Sequence, residues 1–170
     1  VGELLGTPQE MAAYYGGGHD ELHMVLNFNL TYALFGAHHL NRPEILADTL
    51  DASLAAMPAG GQNTVFFSNH DFYRTFDLLL RDESRMKQMA ALQLTLPGTP
   101  FIYYGEEVGM ADGREVITDY RDAARTPMHW TGGDNAGFTT GEPWIDLAPN
   151  YRTHNVADEA GDPASLLNHY

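Results

Sequence analysis

The sequence has 170 residues, of which 44% are hydrophobic and 19% are charged, and its formal net charge is −14 at pH 7. These values favour one globular domain with a buried core over a disordered chain. The absence of cysteine excludes disulfides and thiolate metal sites. The negative field repels nucleic acid and tolerates a neutral ligand such as a sugar, although acidity alone first of all favours solubility. No apolar stretch reaches the roughly 18 residues that would predict a membrane-spanning helix.

The first and last residues of the sequence indicate where the chain begins and ends within its fold. The start, Val1-Gly2-Glu3-Leu4, lacks the basic residues and apolar run of a signal peptide, and we therefore expect a cytoplasmic protein. Because the first residue is not Met, we expect the chain to begin inside a longer protein. The last residues, 165–170, are expected to begin a helix that is cut short.

Helix and strand signals alternate along the first part of the chain. Thr7-Pro8-Gln9-Glu10 combines an N-cap, a proline at the first helical position and a capping-box glutamate, which predicts a helix to about Tyr15. Residues 22–28 form a short apolar run that predicts a strand. Apolar residues at helical spacing over 42–57 predict a second helix, which the Pro58-Ala59-Gly60-Gly61 sequence ends.

The alternation continues and then stops. Residues 64–67 predict a strand buried on both faces, residues 84–95 a helix, and residues 100–104 another buried strand. Strands alternating with helices indicate an α/β fold with parallel strands. Residues from about 105 to 162 are rich in Gly, Pro, Asp and Asn, and a long irregular stretch of this kind is usually functional or disordered.

Aromatic residues indicate that this long stretch is ordered. For most of them packing in the core is the default expectation, with stacking on sugar rings as the alternative; they are Tyr120, Trp130, Phe138, Trp144 and Tyr151. A long ordered loop after a parallel strand suits the C-terminal face of a (β/α)8 barrel, where active sites lie. A full barrel takes about 250 residues, so this chain is expected to form about half of one, or else another architecture such as an open doubly wound sheet.

Polar side chains follow the buried strand at residues 64–67. Ser68, Asn69, His70 and Asp71 come directly after it, at the end of a strand where barrel enzymes place their sites. A carboxylate there can stabilise positive charge on a substrate, and a histidine can bond to a hydroxyl. An equally good interpretation from the spacing alone is a loop that caps the next helix.

Three glutamates need separate interpretation. Glu3, taken by itself, is expected to be a surface charge. Glu106 and Glu107 are adjacent, and adjacent side chains diverge in most backbone conformations. We therefore expect one or both to be structural hydrogen-bond acceptors rather than a catalytic pair.

Four motifs in order resemble glycoside hydrolase family 13, the α-amylase superfamily. They are Val1-Gly2-Glu3, Ser68-Asn69-His70-Asp71, the stretch 98–110 with its Tyr-Tyr-Gly-Glu-Glu core, and the stretch 121–130 with its Arg-Thr-Pro-Met-His-Trp end. Within the family, the pattern is most similar to α-glucosidases, oligo-1,6-glucosidases and trehalose synthases. The resemblance runs over nearly the whole chain, including the segments 148–151 and 162–167.

The resemblance implies a fold and a set of residue roles. Residues 1–170 would form the C-terminal half of a catalytic (β/α)8 TIM barrel, from about strand 5 to the start of helix 8, with a long loop after strand 8. Glu3 would be the general acid/base, and Asp71 would stabilise the transition state. The substrate-binding residues implied are His70, Asn69, Arg74, Arg121 and Arg125.

The resemblance also implies an activity and shows a departure from the family pattern. The expected function is retaining hydrolysis of α-glucosidic bonds in oligosaccharides, in carbohydrate metabolism. Retaining hydrolysis needs a carboxylate nucleophile about 5 Å from the acid, and the family's Gly-Phe-Arg-x-Asp-like motif is absent from this sequence. We therefore expect the isolated chain to be inactive and to need the N-terminal half of the same barrel as its partner.

Two other functions stay open at this stage. A glucosyl transferase or isomerase of the trehalose synthase type would use the same machinery. A non-catalytic relative acting as an accessory or binding protein would have lost the catalytic carboxylates. No cofactor and no metal are expected, since no Asp-x-Asp-x-Asp-Gly loop occurs, and an oligosaccharide or α-glucoside is the expected partner, without nucleic acid or membrane.

Overall fold

A computed structural model describes residues 1–18, 20–114 and 119–170. Within these ranges four short strands alternate with helices, and no described helix is both long and apolar enough to cross a bilayer. The elements are β1 (Gly2–Leu4), α1 (Pro8–Ala13), β2 (Val25–Asn27), α2 (Phe28–Leu40), α3 (Pro43–Ala56), β3 (Thr64–Phe66), α4 (Thr75–Leu78), α5 (Glu83–Thr95), β4 (Thr99–Phe101), two 3₁₀-helices (Tyr120–Arg125 and Asp134–Gly137) and α6 (Val156–Glu159).

The chain forms two compact units. The first unit comprises residues 1–66 and 95–101, and the second comprises residues 67–94 and 102–170. All four strands lie in the first unit.

The strands of the first unit are parallel. β1 pairs with β2, with Gly2 opposite Val25, and β3 pairs with β4, with Thr64 opposite Thr99. A side-chain bond links the two pairs, because the Thr64 hydroxyl donates to the Val25 carbonyl (3.0 Å) and accepts from the Asn27 amide (2.9 Å). The strands therefore follow one another in chain order, and the predicted α/β fold with parallel strands is confirmed.

Asn27 ends β2 and starts α2. Its side-chain oxygen accepts from the Leu30 amide (3.1 Å), and its side-chain nitrogen donates to Ser53 (3.1 Å) and Asn63 (2.9 Å). The strand predicted over 22–28 is therefore limited to Val25–Asn27, and a helix that the sequence analysis did not predict begins at Phe28. Three buried polar groups are satisfied by this one side chain, so its position is tightly specified.

The two helices that were predicted in the first unit, α1 and α3, begin and end close to their predicted bounds. Thr7 and Glu10 form the predicted capping box at α1, which ends at Ala13, earlier than the predicted Tyr15. Tyr15 instead packs inward and donates from its hydroxyl to the Gln62 carbonyl (2.9 Å). α3 lies within the predicted range.

β3 and β4 differ in burial. All three residues of β3 are buried, as predicted, whereas β4 spans Thr99–Phe101 and has an exposed Pro100 between two half-buried neighbours. The strand predicted over 100–104 is therefore present but begins at Thr99 and ends at Phe101, and the expectation that it is buried is wrong. The chain approaches β3 closely at Gly98, whose φ is +150° and where an added Cβ would lie 2.9 Å from the Asn63 carbonyl oxygen.

The described residues of the long irregular stretch, 105–114 and 119–162, belong to the second unit and contain buried side chains. Val108, Met110 and Met128 form a buried cluster there, and Ile145 and Ala148 are also buried. The expectation that most of the aromatics are core residues is wrong. Four of the five are exposed, Tyr120 by 56%, Trp130 by 49%, Phe138 by 47% and Trp144 by 58%.

The segment after α6 forms turns where the sequence analysis predicted the start of a helix. Residues 163–169 are turns and bends. The Asn168 side chain donates to the carbonyls of Glu159 and Asp162, both at 2.8 Å. These bonds hold the segment in a compact, non-helical form.

Candidate active site

The segment that follows β3 in the chain is a tight turn in the second unit. The Asn69 side-chain oxygen accepts from the Asp71 amide (2.8 Å), and the Asn69 carbonyl accepts from the Phe72 amide (3.3 Å). Arg74 precedes α4 as its N-cap, and no described side chain caps this helix. The alternative that this segment caps the next helix is therefore not what the structure shows.

The Asp71 carboxylate lies at the centre of a charged cluster. Its Oδ1 accepts from Arg121 Nη1 and from Arg125 Nη2, each at 3.0 Å. Its Oδ2 lies 3.7 Å from His70 Nε2. The Asp71 side chain is 33% exposed and that of His70 58% exposed, so one carboxylate oxygen is held by two arginines while the residue remains accessible from solvent.

Both arginines come from the first 3₁₀-helix. Asp119 precedes this helix as its N-cap and accepts from the Arg121 amide (2.8 Å) and from the Arg121 guanidinium. The hydrogen bond from Arg121 is the main cause that lowers the pKa of Asp119 to about 2. The same bond raises the pKa of Arg121 above its usual value.

Arg125 ties the two segments of the cluster together. Its Nε donates to the His70 carbonyl (2.9 Å), and its Nη1 lies 3.6 Å from Asp122 Oδ1. The Asp122 side chain, only 1% exposed, accepts from the Asp119 amide (3.2 Å) and so completes the cap of the 3₁₀-helix. Arg125 thus holds the turn that carries Asp71 at two points, the His70 carbonyl and the Asp71 carboxylate.

The cluster has the chemistry of a site for neutral polar ligands. Three carboxylates alternate with two guanidiniums, so most of the charge is compensated within the cluster; the carboxylates are Asp71, Asp119 and Asp122. The Asp71 oxygen that faces His70 can accept a hydrogen bond from a ligand hydroxyl group or stabilise a developing positive charge. An imidazole beside it can donate to a neighbouring hydroxyl.

Arg74 is buried beneath the loop. It is 2% exposed, and its guanidinium donates to the carbonyls of Tyr104 (2.8 Å) and Ala124 (2.9 Å). The same group lies over the Tyr103 and Tyr104 rings, at 5.2 and 4.8 Å. These contacts organise the backbone around the cluster and leave no side-chain surface for a ligand.

Glu106 has the structural role predicted for it. It is buried, and its carboxylate accepts from the hydroxyls of Ser68 (3.0 Å) and Thr75 (2.8 Å). Burial is the main cause that raises its pKa to about 7, against the lowering effect of these hydrogen bonds.

Glu107 points elsewhere, into an aromatic cavity of about 430 Å³ in the second unit. Its Oε2 is buried and has no hydrogen-bond partner among the described residues, and the same holds for the Thr126 hydroxyl on the cavity wall. Trp130 and Trp144 also line this cavity, and Arg125 connects it to the Asp71 cluster.

The predicted site residues fall into three groups. Asn69, His70, Asp71, Arg121 and Arg125 come together in one cluster of the second unit. Arg74 lies beneath that cluster, and Glu3 is an exposed residue of β1 in the first unit. Sequence reasoning missed Asp119, although its position two residues before Arg121 is a capping signal that could have indicated it.

Comparison with known proteins defines the family. The α-amylase catalytic domain matches residues 1–170. The chain is 32% identical to the probable oligo-1,6-glucosidase 2 of Bacillus subtilis (strain 168) and 33% identical to the trehalose-6-phosphate hydrolase of Escherichia coli (strain K12), with 100% of this chain and 38% of each relative covered.

A comparison with solved structures also finds a similar fold. The crystal structure of the trehalulose synthase from Pseudomonas mesoacidophila MX-45 matches with a TM-score of 0.80 and 30% identity, over 96% of this chain and 37% of that one. The chain therefore belongs to the α-amylase catalytic-domain family, and it spans about 38% of the length of the curated relatives it matches.

Proposed function

We propose that this chain contributes to a retaining hydrolase that acts on α-glucosidic bonds of oligosaccharides. The observation that carries the proposal is the Asp71 cluster, in which two arginines hold one carboxylate oxygen while the other faces His70. Glycoside cleavage passes through an oxocarbenium-like state. A fixed, partly exposed carboxylate is suited to stabilising that charge because its dipolar surroundings need no rearrangement during the reaction.

Each site residue receives a role in this proposal. Asp71 stabilises the transition state, His70 and Asn69 bind sugar hydroxyls, and Arg121 and Arg125 orient Asp71 and border the substrate. Arg74 is a positioning residue, since its guanidinium is committed to two backbone carbonyls.

Glu3 is the proposed general acid/base. A carboxylic acid must deliver a proton to the leaving oxygen in this reaction, and the family resemblance of Val1-Gly2-Glu3 supports the assignment. Residues 1–170 are proposed as the C-terminal half of the catalytic barrel, from about strand 5 to the start of helix 8. The N-terminal half of the same barrel is the proposed partner and the source of the nucleophile.

The product of the complete native gene provides the test, with p-nitrophenyl α-D-glucopyranoside as substrate. Asp71→Asn should lower kcat/KM by about 10³-fold or more on this substrate, as expected when a group acting only in the transition state is removed. Glu3→Gln should have an effect of that size on maltose, whose leaving sugar oxygen needs a proton, and a smaller effect on the nitrophenyl substrate, whose phenolate leaves without one. Asp51→Asn and Glu142→Gln are matched controls at exposed positions and should leave turnover unchanged. Retention of a tenth of the wild-type activity by Asp71→Asn would remove Asp71 from the mechanism.

A second test concerns the 170-residue chain alone. We expect no turnover, because the sequence contains no Gly-Phe-Arg-x-Asp-like motif to supply the nucleophile and the covalent intermediate cannot form without one. Strong turnover that depends on Glu3 would show that the nucleophile lies within residues 1–170.

Glucosyl transfer is the second candidate, favoured by the similarity to a trehalulose synthase. Hydrolase and transferase share their carboxylates and differ in what accepts the glucosyl group. Incubation with maltose separates them by product. A hydrolase converts each maltose and one water into two glucose molecules, a transferase converts two maltose molecules into one trisaccharide and one glucose, and an isomerase gives a new disaccharide without net release of glucose. Absence of both activities in the native-gene product would favour the third alternative, a non-catalytic binding or accessory protein.

A further inference from the structure

The buried carboxylate of Glu106 connects the two ends of the segment that carries Asp71. Its Oε2 accepts from Ser68 Oγ (3.0 Å) and from Thr75 Oγ1 (2.8 Å). Ser68 is the first residue of the 68–75 segment and Thr75 the last, and all three residues lie in the second unit. A single oxygen atom therefore closes the segment into a loop.

The rest of the Glu106 environment is neutral. Its Oε1 lies 3.3 Å from the hydroxyl of Tyr170, which also contacts Gln93 Oε1 at 3.4 Å. Gln93 is fully buried on α5. No arginine or lysine is among the groups that bond to this carboxylate in the described part of the chain. Glu106 thus accepts at both oxygens, and Gln93 is also hydrogen-bonded to its carboxyl group. A glutamine at this position keeps a carbonyl oxygen where Oε2 accepts from Ser68 and Thr75, and it replaces only the acceptor at Oε1.

We propose that Glu106 is a positioning residue for Asp71: by bonding to both ends of the 68–75 segment, it fixes the turn from which the Asp71 carboxylate projects. The inference rests on the proposed function for the role of Asp71 and on geometry alone for the role of Glu106. The two arginines hold the Asp71 carboxylate itself, whereas Glu106 holds the side chains of Ser68 and Thr75, the two ends of the segment from which Asp71 projects. Misplacement by about 1 Å of a group in an active site can cost about 10²-fold in rate.

Two substitutions separate a hydrogen-bonding role from packing alone. Glu106→Gln keeps a carbonyl oxygen for Ser68 and Thr75 and turns its NH₂ group towards Tyr170 and Gln93. Glu106→Met keeps the volume and removes both acceptors. Glu159→Met is the matched control. Glu159 is another buried carboxylate of the second unit, its carboxylate accepts from the Leu167 amide (3.0 Å), and none of its hydrogen bonds within the described residues reaches the 68–75 segment.

The experiment measures kcat, KM and amide hydrogen exchange in the native-gene product. For Glu106→Met we expect a fall in kcat of about 10- to 100-fold with KM changed less than about 3-fold, and faster exchange over 68–75. Glu106→Gln should restore both to near wild type, and Glu159→Met should change neither. Exchange over 68–75 and kcat that are the same in Glu106→Met as in Glu159→Met would overturn the proposal.

A further pair of variants keeps the test decisive if Glu106→Met does not fold. Ser68→Ala and Thr75→Val each remove one of the two donors, and each should raise exchange over the segment, with a larger effect when combined. No change in the double variant would overturn the role of Glu106. Failure of the proposed function would appear differently, as full turnover by Asp71→Asn, while the exchange data would still decide the role of Glu106.

Discussion

Replacement of the buried Arg74 by methionine should destabilise the protein strongly. The substitution leaves the Tyr104 carbonyl without its guanidinium donor, at about 1–3 kcal/mol for a buried acceptor. The Ala124 carbonyl loses its guanidinium donor but keeps a hydrogen bond from the Tyr103 hydroxyl (3.1 Å), so its loss is about 1 kcal/mol. Loss of the guanidinium also removes the contact with two tyrosine rings, which is worth about 0.5–2 kcal/mol. The substitution also removes a buried charge whose Nε has no hydrogen-bond partner in the part of the chain that the structure describes, and this offsets part of the loss. We expect a net decrease of ~3 kcal/mol in the free energy of unfolding.

Chemical denaturation of the native-gene product measures this decrease, with Arg85→Met as the control. Arg85 is 40% exposed and pairs with Asp82 across one turn of surface structure, so its loss should cost less than about 1 kcal/mol. A decrease below about 1 kcal/mol for Arg74→Met would refute the view that its guanidinium holds the loop.

Arg74→Lys addresses the expectation that Arg74 binds substrate. Lysine keeps the charge but cannot donate to two separated carbonyls in the same planar geometry. We expect lower stability with an unchanged KM for the fraction that folds. A raised KM with unchanged stability would instead mean that Arg74 touches the substrate.

Three further predictions follow from single positions. The pKa of Glu106 is raised to about 7 from 4.5, so its contribution to stability is fully present below pH 4.5 and is lost as the pH rises through 7, a change of ~3 kcal/mol in the free energy of unfolding. Glu106→Gln should remove this dependence of the unfolding free energy on pH, measured by chemical denaturation between pH 4.5 and 8. The same pH dependence in the wild type and the variant would contradict the prediction. Thr7→Ala breaks the capping box of α1 and should cost about 1 kcal/mol, whereas Thr7→Ser should recover most of it in the same thermal melts. Gly98→Ala places a Cβ 2.9 Å from the Asn63 carbonyl at a φ of +150° and should lower stability by about 1–3 kcal/mol, while Gly141→Ala, whose nearest neighbour is 3.8 Å away, should change Tm little.

The sequence predicted the elements whose signals are local. The capping box at Thr7 and Glu10 and the fully buried β3 depend on neighbours in the chain, and both are present. α2 was missed because its apolar residues surround the helix rather than follow one face, and because its start is fixed by Asn27. That side chain bonds to Ser53 and Asn63, far away in the chain, and no local pattern reports such a contact.

The sequence predicted most residues of the candidate site but not the hydrogen bonds between them. The family resemblance indicated Asp71, Arg121 and Arg125, yet only the structure shows that both arginines bind the same oxygen across 50 and 54 positions of sequence. Arg74 was grouped with the substrate-binding residues because spacing from Asp71 does not reveal which way a side chain points. The structure directs it inward, onto backbone carbonyls.

The proline in β4 affects how readily another strand can add to the edge of this sheet. The Thr99 amide donates to Asn63 on the β3 side, and amides alternate in direction along a strand, so residue 100 faces the outer side of β4. There Pro100 offers no N–H group, and a foreign strand that approached this side would find a gap in the ladder. Pro100 therefore makes the outer side of β4 a poorer template for the addition of a strand from another molecule.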